Sequence, residues 1–145
     1  MHFLKRMLLL LGTSFLMSSC SGGVEADAAL SLNETEKEEV EIVPYVSISV
    51  QEAKQLMDTE NDYVILDVRT EEEFAEGHIP GALLIPDYEI KQRAEMILTD
   101  KNQMILVYCR SGRRSKLASA DLSYMGYQNV KEFGGIIDWP YEIEK

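Results

Sequence analysis

Residues 104–114 read Met-Ile-Leu-Val-Tyr-Cys-Arg-Ser-Gly-Arg-Arg, and this is the most informative stretch of the sequence. The apolar run that ends at Tyr108 predicts a strand that is buried on both faces, because such strands lack polar alternation. A short loop follows, and residues 115–125 have the pattern of a helix. The stretch therefore predicts a strand–loop–helix unit with Cys109 at the carboxyl end of the strand.

This loop is suited to ionising a thiol and to binding an anion. Backbone N–H groups that curl around one point and lead into a helix carry partial positive charge toward that point. Gly112 permits the backbone conformation that this requires, and Arg110, Arg113 and Arg114 offer forked donors for a sulfonate, sulfate or phosphate. We therefore expect the pKa of the Cys109 thiol to lie well below its free value of ~8.5, so that the thiolate needs no separate general base.

Strand and helix patterns alternate over the folded unit, which we place at residues 45–145. The predicted strands lie at 46–48, 63–68, 83–85, 104–108 and 129–133. Alternation of this kind predicts a parallel sheet covered by helices on both faces, an α/β fold of about five strands. Ligands of such sheets bind beyond the carboxyl ends of the strands, where Cys109 lies.

The intervening helices are predicted from caps and apolar spacing. Ser49 is the expected cap of the first helix, Thr70 with Glu73 forms a capping-box pattern for the second, and Asp87 is the expected cap of the third. The second helix is expected to end near Gly77. The inward-facing residues are predicted to be Val50, Ala53, Leu56 and Met57, then Ile90, Ala94, Ile97 and Leu98, and then Leu117, Ala118, Leu122 and Met125.

The first nineteen residues have the features of an export signal. Two cations at residues 5–6 precede an apolar run of about eleven residues, which is too short to span a bilayer comfortably. Small residues followed by Cys20 resemble a bacterial lipoprotein signal, which implies a lipidated Cys20 and an extracytoplasmic protein anchored to a bacterial membrane. Residues 20–44 are then a flexible acidic tether. A plain secretory signal cleaved nearby is the alternative.

Net charge restricts the possible partners. The formal charge of −11 disfavours binding to nucleic acid. A basic cluster nevertheless lies within residues 110–116 and favours a small anionic ligand there, with a solvated helix start as the alternative. His78 and Cys109 alone make no metal-ligand set, so we expect no metal and no cofactor.

Two long motifs, in the right order, resemble those of the rhodanese homology domain. Residues 67–82, which read Asp-Val-Arg-Thr-Glu-Glu-Glu-Phe-Ala-Glu-Gly-His-Ile-Pro-Gly-Ala, resemble its first signature, and residues 109–115 resemble its active-site loop. Residues 133–139 resemble its closing segment, with Ile136 where the family often has tryptophan. The resemblance covers about residues 45–139 and implies a three-layer rhodanese-like fold.

The resemblance implies a sulfurtransferase. Cys109 would take the outer sulfur of thiosulfate or a similar donor as a persulfide and pass it to cyanide or a thiol, in a two-step covalent mechanism. Arg114 would close the loop and steady its anion, while Arg110 and Arg113 would steer the donor. The protein is expected to be a monomer. The loop residues implicated are Arg110, Ser111, Gly112, Arg113 and Arg114.

Two supporting residues come from the first motif. Asp67 is expected to support the loop or a basic residue, and Arg69 is expected to form a structural ion pair with Glu72 or Glu73. The segment that begins at His78 is expected to shape a turn.

Two other functions remain open at this point. Related cysteine phosphatases and arsenate reductases place five residues between cysteine and arginine, whereas four separate Cys109 from Arg114, which disfavours them. A non-catalytic binding module is the other alternative, although such modules often lack the cysteine that this chain retains.

Overall fold

The structure, a computed structural model, describes residues 42–145. The predicted signal peptide at 1–19, the lipidation site Cys20 and almost all of the tether at 20–44 lie outside the described residues. Within the described part, every helix is too short or too polar to cross a membrane.

Five strands form one sheet in which all neighbouring strands are parallel. The order across the sheet is β1-β5-β4-β2-β3. This confirms the predicted α/β fold with a parallel sheet. The strands are β1 (Val46–Ser47), β2 (Tyr63–Asp67), β3 (Leu83–Leu84), β4 (Met104–Cys109) and β5 (Val130–Gly135), and the helices are α1 (Val50–Thr59), α2 (Glu71–Glu76), α3 (Ile90–Ile97) and α4 (Arg113–Tyr124), with short 3-10 turns at Asp87–Glu89 and Ile136–Asp138.

The central strand β4 divides the core into two layers. Ile105 and Val107 pack with α3 and α4 on one face, whereas Leu106 and Tyr108 pack with α1 and Trp139 on the other. All four β4 side chains are fully buried. The strand β4 is therefore covered on both faces, as its continuous apolar sequence predicted.

Two helix caps are confirmed and one is wrong. Ser49 and Thr70 each form a complete capping box, with Glu52 and Glu73 respectively. Asp87 does not cap α3, because residues 87–89 form a separate 3-10 turn and α3 begins at Ile90 without a side-chain cap.

Two predicted inward-facing residues point to solvent instead. Ile97 is 38% exposed at the end of α3, and Leu117 is 59% exposed on α4. The buried stripe of α4 is rotated by one residue and contains Ser115, Ala118 and Ser119, which have helical spacing. This face packs on the sheet although two of these residues are serines, so a pattern based on apolar residues alone does not predict it.

A β-bulge interrupts the pairing of β4 with β5 next to the end of both strands. Val107 pairs with Glu132, but Cys109 pairs with Gly135, so β5 holds one extra residue. Gly134 within this bulge has a φ of +92°, a conformation that glycine adopts readily. The bulge brings Gly135 beside Cys109 at the edge of the sheet where the loop begins.

Candidate active site

Cys109 is the last residue of β4, and its residue surface is 1% exposed. The chain turns at Gly112, whose φ of +93° is left-handed, and α4 begins at the next residue. The backbone N–H of Gly112 donates to Cys109 Sγ at 3.1 Å. The N-terminus of a three-turn helix and the loop before it therefore both face the sulfur, as the sequence predicted.

The surroundings of Cys109 favour its ionised form. Burial raises the pKa of the Cys109 thiol, but hydrogen bonds from the hydroxyl and N–H of Ser115 and from the N–H groups of Ser111 and Gly112 outweigh burial and lower the pKa below its ordinary value. The lowered pKa of Cys109 agrees with the expectation from the sequence, and its causes are backbone N–H groups and one hydroxyl.

Arg114 forms an ion pair with Glu73 of α2. Its guanidinium donates to both carboxylate oxygens of Glu73, at 2.7 and 2.8 Å, in a bidentate ion pair. Hydrogen bonds from Arg114 are the main reason that the pKa of Glu73 is lowered to about 2. Glu73 thus holds the Arg114 guanidinium here, and the expectation that Arg114 closes the loop and steadies its anion stays a prediction.

The other loop cations form an exposed rim. Arg110, Arg113 and Lys116 are exposed, and none of them has an ion-pair partner among residues 42–145. Their positive charge is therefore available to a ligand that approaches Cys109 from solvent. This placement is compatible with steering of an anionic donor, which stays a prediction.

Asp67 and Arg69 form a buried ion pair with each other. Arg69 Nη2 donates to Asp67 Oδ2 at 2.7 Å and to the carbonyl of Gly77 at 2.7 Å. Burial lowers the pKa of Arg69, but the hydrogen bonds and charges of Asp67 and Tyr108 together outweigh burial and raise it. The expected pairing of Arg69 with Glu72 or Glu73 is wrong, because alternation along the extended chain places Asp67, two residues away, on the same side. Asp67 pairs with Tyr108 in the sheet. The side chain of Tyr108 lies on one face of the sheet, and that of Cys109 lies on the other face.

Sequence reasoning missed a buried carboxylate beneath the loop. Glu132 of β5 is 2% exposed, and its Oε1 accepts hydrogen bonds from Ser115 Oγ at 2.7 Å and from the N–H of Gly134 at 2.8 Å. Ser47 Oγ donates to the other oxygen at 3.2 Å. The sequence does contain a signal for this carboxylate, because Glu132 is a charged residue at an inward-facing position of a predicted strand.

The segment that closes the site packs against the loop. A Cβ placed on Gly135 would lie 2.1 Å from the carbonyl oxygen of Arg110, so only glycine fits there. Ile136 and Trp139 pack in the core on the α1 side, so Trp139 is a packing residue. The segment after His78 forms a turn, as predicted.

Two cavities of the described residues lie away from the loop. Two neighbouring cavities of about 420 and 580 Å³ share Tyr63 and Pro80 at their walls, and neither is lined by Cys109 or by the loop. The loop itself is thus the candidate site, and it suits a small ligand.

Comparisons with known proteins give the family. Residues 49–140 match the family described as the Rhodanese-like domain. The chain is 42% identical over 73 residues to thiosulfate sulfurtransferase PspE of Escherichia coli, a match that covers 50% of this chain and 70% of that protein. It is 43% identical over 88 residues to a sulfurtransferase of Allochromatium vinosum, with 60% of this chain and 79% of that protein covered.

Solved structures agree with the sequence comparison. A structure described as rhodanese with anions from E. coli is 38% identical, with a TM-score of 0.55, and covers 57% of this chain and 98% of its own. The structure of SSP1007 from Staphylococcus saprophyticus is 32% identical, with a TM-score of 0.62, and covers 69% of this chain and 99% of its own. The three-layer arrangement around a parallel sheet and the match over residues 49–140 together show that the chain belongs to the Rhodanese-like domain family, whose members here include sulfurtransferases.

Proposed function

We propose that this protein transfers sulfane sulfur through a persulfide on Cys109. The observation that carries the proposal is the thiol itself, which ends a strand inside a ring of N–H donors that lowers its pKa. A thiolate is the nucleophile that attack on sulfur requires. The names of the sulfurtransferase relatives support the same reaction class.

The first half-reaction loads the sulfur. The Cys109 thiolate attacks the outer sulfur of thiosulfate or a related donor, a new S–S bond forms, and the old S–S bond breaks with its electron pair on the departing sulfite. The persulfide then carries the negative charge within reach of the N–H groups of Ser111, Gly112 and Ser115. Fixed dipoles of this kind stabilise charge on the bound sulfur without reorganisation.

The second half-reaction unloads the sulfur. A thiophilic acceptor, cyanide or a small or protein thiol, attacks the outer sulfur, and Cys109 leaves as a thiolate. The exposed cations at Arg110 and Arg113 favour anionic donors over neutral ones. The order of steps gives ping-pong kinetics, because the donor product leaves before the acceptor reacts.

Mass measurement of the intact protein tests this proposal. Folded, reduced protein incubated with thiosulfate is expected to gain about one sulfur atom, ~32 Da, and to lose it on addition of cyanide. The Cys109→Ser variant is the control and is expected to gain nothing. If the native protein gains no mass from thiosulfate or from any other sulfane donor, the chain is a binding module instead.

We also propose that the protein is a lipoprotein that faces away from the cytoplasm. The support is the sequence of the first twenty residues, with two cations, a short apolar run and small residues before Cys20. The Cys20→Ser variant is expected to move from the detergent-extracted fraction to the soluble fraction. Continued extraction by detergent alone would contradict lipidation.

A further inference from the structure

The cavity of about 420 Å³ lies between α1 and the segment that follows β5. Its floor is apolar, because Ile65, Ile79 and Trp139 line it and are each more than nine-tenths buried. The rest of its wall consists of Met57, Pro80, Tyr63 and Tyr141 together with three charged residues, Lys54, Asp58 and Glu142. Cavities of this size, with a mostly apolar lining and a few polar groups, bind small organic molecules.

This cavity is separate from the loop that holds Cys109. Tyr63 pairs with Met104 at the start of β4, whereas Cys109 is the last residue of β4. Five residues along a strand span about 16 Å. Tyr63 also packs in the core layer on the α1 side of the sheet, whereas Cys109 belongs to the layer on the side of α3 and α4. A ligand in the cavity therefore lies away from the thiol.

Aromatic rings form a corner in the wall of the cavity. The rings of Trp139 and Tyr141 meet edge to face, with their centroids 4.9 Å apart and an angle of 72° between the ring planes. A third ring in the same wall, that of Tyr63, is held by a hydrogen bond from its hydroxyl to the Met57 carbonyl at 3.0 Å. The faces of such rings carry partial negative charge and attract cations.

A cation of the protein already lies at this corner. Lys54 Nζ is 5.6 Å from the centroid of the Tyr141 ring and forms an ion pair with Asp58, one turn along α1. The Lys54 side chain is partly exposed, so its ammonium group reaches the ring from the rim of the cavity. Its position shows that the corner accepts positive charge.

The lining has more negative than positive charge. Asp58 neutralises Lys54, and Glu142 then remains as a carboxylate in the wall. The indole N–H of Trp139 donates to the carbonyl of Glu142 at 3.1 Å, so Glu142 lies beside the aromatic corner. Neither Glu142 nor Glu60, which lines the adjoining cavity, has an ion-pair partner within residues 42–145. The charge of the lining thus complements a ligand that brings a second cation.

We propose that this cavity binds a small, free organic cation of the quaternary ammonium class. The cationic group lies at the corner of Trp139 and Tyr141, beside Glu142, and the alkyl part of the ligand covers the apolar floor. A quaternary ammonium suits this wall better than a primary amine, because its methyl groups pack on apolar surface and no N–H group is left without a hydrogen-bond acceptor. Binding involves no chemical change, and the site does not depend on the proposed sulfur transfer.

Trp139 provides the readout, because it is the single tryptophan of the chain and lies in the wall of the cavity. Its fluorescence is expected to change saturably when choline is added to the purified protein at constant ionic strength. The neutral isostere of choline, a primary alcohol with a tert-butyl group in place of the trimethylammonium group, is expected to bind about 10-fold more weakly. Thiosulfate at the same ionic strength is expected to leave choline binding unchanged, because the loop lies elsewhere.

Two substitutions in the wall separate recognition of charge from apolar packing. Tyr141→Leu removes a ring face but keeps apolar surface, and Glu142→Gln removes a charge; both residues are exposed enough to be replaced without loss of the fold. Each is expected to weaken choline binding about 5-fold and to change binding of the neutral isostere by less than about 2-fold. Tyr124→Leu and Glu76→Gln are the matched controls, because both residues are exposed and lie outside the cavity wall. Both controls are expected to bind choline as the native protein does.

Three results would overturn the proposal. If the neutral isostere binds as tightly as choline, the cavity selects apolar shape and not charge. If thiosulfate displaces choline, the cation binds at the loop and not in the cavity. If neither the fluorescence of Trp139 nor calorimetry detects binding of choline up to about 100 mM, the cavity does not take this class of ligand.

Discussion

Gly135→Ala is expected to inactivate the loop while leaving the sheet intact. The added Cβ would lie 2.1 Å from the Arg110 carbonyl oxygen and 2.6 Å from Ser111 Cα. Ordinary contacts between heavy atoms are about 3.5 Å, so the loop must move by about 1.4 Å. The three nearest atoms all belong to the backbone of the loop, so no side chain can rotate away to relieve the clash.

A displacement of this size has a large kinetic effect. A misplacement of about 1 Å at a reacting centre costs on the order of 10²-fold in rate, and here the loop also supplies the N–H groups that lower the pKa of Cys109. We therefore expect persulfide formation from thiosulfate to fall about 10²-fold in Gly135→Ala and the thiolate to appear at higher pH. The assay is the rate of sulfur uptake by mass, together with the pH dependence of alkylation by iodoacetamide.

The neighbouring glycine provides a matched control. Gly134 has a φ of +92°, so alanine there is strained by about 1–2 kcal/mol, but its Cβ would meet no atom within 4 Å. Gly134→Ala is thus expected to lower the melting temperature and to keep the rate within a few-fold. If Gly135→Ala takes up sulfur at the native rate with an unchanged titration, the tight contact between β5 and the loop does not control the thiol.

The other predictions concern charges around the loop. Glu73, whose pKa is lowered to about 2 chiefly by Arg114, contributes stability that is present above its unfolded pKa of ~4.3 and is lost as the pH falls through its folded pKa. The free energy of unfolding in urea at pH ~7 is therefore expected to be about 1 kcal/mol lower for Glu73→Gln than for the native protein, a small effect because the pair is partly exposed to solvent. This difference is expected to vanish near pH ~2, where Glu73 becomes protonated in the folded protein. Arg113→Glu is expected to slow thiosulfate uptake several-fold at low ionic strength but not at high salt, whereas equal rates at low salt would rule out steering. Asp67→Asn is expected to cost about 3–5 kcal/mol in urea, because it leaves the buried Arg69 unpaired, and to leave the thiolate titration unchanged; a shifted titration would show that this pair acts on the loop.

Local features of this site were predictable from the sequence because they depend on neighbours in the chain. The strand–loop–helix unit around Cys109 is set by an apolar run, a glycine and a helix start within residues 104–125. The capping boxes at Ser49 and Thr70 depend on residues only three positions apart. The Asp67–Arg69 pair is also local, because side chains two positions apart in an extended chain point to the same side. The sequence analysis nevertheless expects Glu72 or Glu73 of the following helix as the partner of Arg69.

Features that depend on strand order were not predictable from one sequence. Glu73 and Arg114 are 41 positions apart, and their contact requires α2 to follow the strand that lies beside β4. Glu132 lies beneath the loop only because β5 is the other neighbour of β4 and carries a bulge after this residue. Periodicity places Glu132 on one face of its strand, but it does not say which strand is adjacent.

The position of Arg114 also bears on which ligand the loop accepts. Tight binding of a tetrahedral phosphate favours a free guanidinium that can donate two parallel hydrogen bonds to it. In this structure Glu73 takes both of those hydrogen bonds, and what faces the sulfur is a set of N–H groups from Ser111, Gly112 and Ser115. A phosphate bound by the Nη atoms of Arg114 would have to displace Glu73, whereas the N–H groups alone would suffice for a single sulfur atom carried on Cys109. The ion pair therefore argues against a phosphatase that depends on Arg114, for a reason separate from the length of the loop.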